Sequence, residues 1–242
     1  MSDVSYAGLY SLELFNMFLK LKQNNPAITT TYGIEPSLAD VYSGNLLQFY
    51  KKYSPNNFEG ELVGDNKAHS AKKRYKATLE IPSGFITEFI QSEYNAIRSL
   101  DGSSVNSSTV VSTQLAQQLF SFNVLDMLEK QYGETIWAGA VTLVDKVAKA
   151  KTLIKKINCN WFGFGSSPTG NRANLKIWDG TTWSGTGFHI LSTVAKIEYP
   201  ALTPSAWIQS DGFVHILANA ETSNGTIASA ISTDYIEIIL EL

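Results

Sequence analysis

The closing stretch Asp234-Tyr-Ile-Glu-Ile-Ile-Leu-Glu-Leu242 alternates apolar and polar residues, the period of a half-buried strand. It predicts Ile236, Ile238, Leu240 and Leu242 facing a core, with Tyr235, Glu237 and Glu241 on the other side. The same rhythm recurs upstream and predicts strands over 119–124, 157–164, 173–178, 206–210 and 213–218, and one or two within 187–199. Turn signals separate them: Ser166 to Gly170, Asp179-Gly180, Gly185 to Gly187, Asp211-Gly212 and Ser223 to Gly225. Asp211-Gly212 between two strand-like runs reads as a hairpin. Short strands at this spacing predict an antiparallel jelly roll or β-sandwich.

Helical periods intrude in places. Leu125 to Tyr132 reads as a short helix stopped by Gly133, and 143–154 as a second. Before residue 100 the pattern is mixed. Tyr6 to Lys22 is apolar nearly all round, and Leu46, Phe49, Tyr50 and Tyr53 share a helical face. Lys76 to Ile81 alternates as a strand ended by Pro82. Ser83 then stands where it would cap a helix carrying Ile86, Phe89, Ile90, Tyr94 and Ile97. The expected architecture is a mixed α/β, helix-rich N-terminal portion over 1–102 and an all-β sandwich with short helices over 114–242. Residues 103–113, rich in Ser, Thr and Asn, serve as a linker or a loop.

Composition narrows the function classes. The 242 residues carry a net charge of -3, with 17% charged and 12% aromatic side chains. That balance asks for neither nucleic acid nor an acidic membrane surface. It fits a protein that buries surface against partners and equally a plain β-protein. Charge is uneven: Lys72 to Lys76 is the basic run, read as a solvated loop or partner-facing patch, and no Lys or Arg follows Lys196. The start lacks a basic, cleavable leader, and Leu9 to Leu21 is too short and too charged to span a bilayer. The expectation is a soluble, cytoplasmically made protein. Cys159, the single cysteine, alternates with strand residues and reads as a small core side chain.

No pattern carries an enzyme or a cofactor. Gly163-Phe-Gly165 lacks the third glycine of a dinucleotide loop, Pro168 standing in its place. His69, His189 and His215 lack metal-ligand spacing, and His215 alternates outward in its strand. Asp101-Gly-Ser-Ser lacks the carboxylate ladder of a calcium loop. Asp179, Asp211 or Glu221 would have to face each other across a cleft to hydrolyse a glycoside. The readings are therefore no catalytic, cofactor or metal residues. One constellation retains chemistry: Trp178, Asp179, Trp183, His189, Trp207 and Asp211 fall at strand ends or loops. Aromatic faces suit the C–H-rich side of a sugar ring, and carboxylates suit its hydroxyls. Core and inter-subunit packing is the competing role for the tryptophans.

Several segments resemble the galactose-binding-like jelly-roll domains of bacteriophage appendage proteins of tails, baseplates and head fibres. These are Phe120-Ser-Phe-Asn with its short helix, Asn160-Trp-Phe-Gly-Phe-Gly165, Trp178-Asp-Gly, Ile208 to Val214 and the closing Thr233-Asp-Tyr-Ile-Glu237. The resemblance covers about half the chain. It implies a non-enzymatic virion structural protein made in a host cytoplasm. Its first portion would dock onto other virion proteins, its sandwich would face outward, and the assembly would be homo-oligomeric. The alternative is a carbohydrate-binding module that recognises a host-surface glycan. A polysaccharide hydrolase is the third reading.

Overall fold

In the computed structural model, residues 54–64, 68–199 and 206–242 are described. Two antiparallel sheets face each other in a sandwich of jelly-roll type. The strands are β1 Ser54–Asn56, β2 Ser70–Lys76, β3 Thr87–Glu88, β4 Val105–Thr109, β5 Leu115–Asn123, β6 Lys156–Ser166, β7 Ala173–Trp178, β8 Trp183–His189, β9 Ala195–Tyr199, β10 Phe213–Ala220 and β11 Ser229–Glu241. The helices are α1 Gln91–Ile97, α2 Val124–Tyr132 and α3 Leu143–Leu153. The five-stranded sheet runs β1-β11-β6-β9 with β4 also on β11, and the six-stranded sheet runs β3-β2-β5-β10-β7-β8. Among the described residues no helix is long and apolar enough to cross a membrane.

The closing strand is the spine of the five-stranded sheet. It pairs with β6 along one edge and with β4 and β1 in turn along the other. Ile236, Ile238, Leu240 and Leu242 are buried, as the alternation requires. The register slips between Thr233 and Tyr235, between the stretches paired with β4 and β1. There the buried Asp234 carboxylate accepts the backbone N–H groups of Asp101 and Gly102. Burial pushes its pKa up, against those two hydrogen bonds.

The inner faces meet over Trp161, Phe58, Phe89, Tyr94, Phe120 and Phe122. A buried polar chain crosses between the sheets. The Gln118 amide of β5 donates to Val105 O, Ser107 Oγ and Ile231 O, Thr233 Oγ1 donates to its carbonyl oxygen, and Trp161 Nε1 donates to Thr233 Oγ1 at 2.8 Å. Cys159 is fully buried, and burial raises its thiol pKa above the ordinary range.

Several sequence expectations are corrected. Residues 103–113 do not separate two bodies, because Val105–Thr109 is a strand of the five-stranded sheet. Alternating Val105, Ser107 and Thr109 are buried, so a Ser/Thr-rich composition here marks small inward side chains. The portion before residue 103 contributes β1, β2 and β3 to the same two sheets. The basic run 72–76 lies within β2. The strand expected over 76–81 ends at Lys76, because the Gln117 side chain takes over the backbone beyond it. Glu80 N donates to Gln117 Oε1, and Gln117 Nε2 donates to Thr78 O. The helix expected after Ser83 is broken into a 3₁₀ turn at Pro82–Gly84, the edge strand β3 and α1. Glu93 Oε2 accepts Ile90 N and starts the helix there. Residues 206–210 form no strand, so Asp211-Gly212 closes no hairpin. Trp207 and Ile208 are both buried in the turn that leads to β10. The helices expected over 6–22 and 46–53 lie outside the described residues.

Candidate functional site

The outer face of the six-stranded sheet is divided in two. Residues 78–85 cross one half and bury Phe85 against Leu119 and Leu217, with Leu79 and Trp183 at the margin. Trp183 Nε1 pins the crossing by donating to Glu80 O at 2.7 Å. The other half is an open groove of about 380 Å³.

Strand register builds its floor. Ser70 of β2 stands opposite Ser121 of β5, which stands opposite His215 of β10. One step beyond the last β10–β7 pair, Ile216 with Ile177, the row reaches Trp178. Lys72 and Leu119 form the neighbouring row. Ile81, Pro82 and Ser83 wall one side, and Gln209, Asp211 and Phe213 line the other. Outward residues on adjacent strands therefore supply two hydroxyls, an imidazole, an ammonium, an indole and a phenyl ring.

The imidazole is held in place. His215 Nδ1 lies 2.8 Å from Ser121 Oγ, and the ring stacks on Phe213 at a centroid distance of 6.0 Å. Asp211 Oδ2 is 4.0 Å from its Nε2. Burial lowers the His215 pKa, Asp211 opposes that, and Lys72 adds to it. The ring is therefore neutral near pH 7 and ready to exchange hydrogen bonds. Gln209 fixes the wall, its amide nitrogen donating to the carbonyls of Trp178, Ala206 and Trp207. At the turn Gly212 takes φ +82°, where a side chain would also strike Leu125.

The six residues singled out from sequence do not form one cluster. Trp178 and Asp211 line the groove. Trp183 packs edge-on against Trp178, with centroids 5.2 Å apart, and joins the covered half. Asp179 is spent on its own turn, accepting from Thr181 N, Thr182 N, Thr182 Oγ1 and Ser184 Oγ. Those hydrogen bonds, led by the Thr182 N–H, hold its pKa at about 2. His189 stacks on Trp161 and sits 3.0 Å from Gly163 O, away from the groove. Trp207 is a core residue at 9% exposure. Ser70, Lys72, Ser121, Gln209, Phe213 and His215 stand outside that set. The basic run that includes Lys72 and the outward alternation of His215 are the sequence signals that point to them.

Among the described residues Asp211 is the only carboxylate lining the groove. No group of three or more His, Cys, Asp or Glu stands close enough there to share a metal ion. Glu221 lies elsewhere, bonded to Asn174 and paired with Arg172.

Fold and site together define a β-sandwich carrying a polar, aromatic-edged groove on one outer face. No family model matches the sequence, and no curated relative does. Among solved structures the chain is similar to the CBM36-1 domain of a multidomain xylanase from the hindgut metagenome of Trinervitermes trinervoides. That match has 12% identity and a TM-score of 0.26 over 77% of this chain and 96% of that one. It is also similar to the carbohydrate-binding module CBM36 in complex with calcium and xylotriose. Identity there is 13% and the TM-score 0.27, over 77% and 97% of the two chains. Likeness at this level fixes neither a site nor a ligand for this chain.

Proposed function

We propose that the chain is a carbohydrate-binding β-sandwich that holds a glycan in the groove of its six-stranded sheet. The observation that carries this reading is the row Ser70, Ser121, His215 and Trp178. It sets hydroxyls and an imidazole beside aromatic edges on a rigid sheet. Sugar hydroxyls exchange hydrogen bonds with the first set, and ring C–H faces pack on the second. Sites built on strands lose little entropy on binding, because the backbone is already fixed. A single lining carboxylate favours binding over hydrolysis by a carboxylate pair. The fold and the groove lend the virion role no support.

Isothermal titration of the full chain against neutral and acidic oligosaccharides tests the proposal. Wild type is expected to bind at least one class. The double variant Ser121→Ala/His215→Ala is expected to weaken that binding about tenfold or more, equivalent to roughly 1.4 kcal/mol. No binding to any oligosaccharide, or binding indifferent to the double variant, refutes it.

A further inference from the structure

Strand β2 carries four cations, and three have partners. Lys73 pairs with Glu93, and Arg74 and Lys76 share Glu80. Lys72 makes no ion pair among the described residues, although it is half-buried on the groove floor. Its cross-strand neighbour is Glu88 of β3. That carboxylate is engaged by Tyr94 Oη and Gly64 N. The apolar side chains of Leu119, Ile81 and Pro82 line the same groove.

We infer that the groove takes an acidic glycan, one bearing uronic-acid carboxylates, and that Lys72 is the residue that receives the carboxylate. This deepens the carbohydrate reading above and rests on it. The Lys72 side chain is half-buried on the groove floor, and its ammonium has no counter-ion among the described residues. A carboxylate supplies a charge-assisted hydrogen bond where the local dielectric is reduced. A neutral sugar offers Lys72 hydroxyl oxygens that accept its hydrogen bonds but leave its charge uncompensated, so the acidic form is favoured. The groove is polarised to suit. Asp211 lies on the far side of His215 from β2, where it already accepts Phe213 N and faces the imidazole. Ser70 and Ser121 lie one alternation from Lys72, in reach of hydroxyls on the same sugar ring.

The test uses the full chain with oligogalacturonate and oligomannuronate, each beside its methyl ester, which keeps the shape and removes the charge. Titration of wild type is expected to favour acid over ester about tenfold, the worth of one charge-assisted contact. Lys72→Gln should abolish that preference, while Lys72→Arg should keep it. Circular dichroism confirms that both variants fold. Equal binding of acid and ester, or a preference that survives Lys72→Gln, overturns the inference. Binding of neutral oligosaccharides alone also overturns it and leaves the carbohydrate reading standing. No binding of any oligosaccharide removes both.

Discussion

The two faces of β5 and β10 are made from alternate residues of the same strands, yet they do different work. Ala116, Phe120, Phe122, Val214, Ile216 and Ala218 point inward and are 0% exposed. Leu119, Ser121, Phe213, His215 and Leu217 point outward, and only Leu119 and Leu217 join the patch under the crossing segment. The inner face excludes water and fixes the backbone. The outer face inherits that rigidity and can carry polar chemistry without paying for it in core packing.

The largest effect should follow from disturbing the inner face. Phe120 packs against Phe58 and Phe89, at centroid distances of 6.0 and 6.1 Å. Phe120→Ala is expected to cost about 3–5 kcal/mol of stability, the usual range for a buried aromatic. Urea denaturation followed by tryptophan fluorescence measures it. A loss within the range of a surface substitution would break the distinction between the faces.

That distinction also marks what the sequence made legible. Strands β5, β6, β7, β10 and β11 and helices α2 and α3 follow from local periodicity, because one face of each is buried against a neighbour. The crossing segment does not. Its backbone is satisfied by Gln117, 37 residues from Glu80, and no local pattern records such a partner. Trp207 departs from its expected strand for a related reason. The sequence shows a strand-like run over 206–210, but not that the Gln209 amide holds it as a turn with the indole in the core, the packing role. The groove escaped because Ser70, Ser121 and His215 become neighbours only through register. Their spacing along the chain carries no motif.

An intermediate effect separates His69, just ahead of β2, from His215 of β10 by pH. His69 is buried against Phe58 and Phe122, its Nδ1 accepts Asn123 N, and its Nε2 has no hydrogen-bond partner. Burial, reinforced by Lys130, lowers its pKa to about 4 from 6.5. Between those values the unfolded chain holds a proton that the folded chain refuses. This contribution to stability is complete above pH 6.5 and falls as pH drops towards 4. The expected loss between pH 7 and pH 5 is about 2 kcal/mol. His69→Asn, which keeps an acceptor for Asn123 N, should flatten that slope. His215→Asn should flatten it less, because Asp211 partly offsets the burial of the groove imidazole. Denaturation midpoints across the range check the order, and a steeper effect of His215 would reverse it.

The smallest effect is the sharpest for the groove. Lys72 makes no ion pair among the described residues, so Lys72→Gln removes little that holds the fold, and its expected cost is within about 0.5 kcal/mol. Lys76→Gln removes one partner of Glu80, which is 8% exposed and whose pKa is lowered chiefly by the Lys76 hydrogen bond. It should therefore cost more than Lys72→Gln while leaving acidic-glycan binding intact. Thermal unfolding and titration of the two variants together make a crossed test on a single strand. On the proposal above, Lys76 serves the fold and Lys72 the ligand. If Lys72→Gln proves the more destabilising, the outer face is structural rather than the binding surface proposed from its row of register partners.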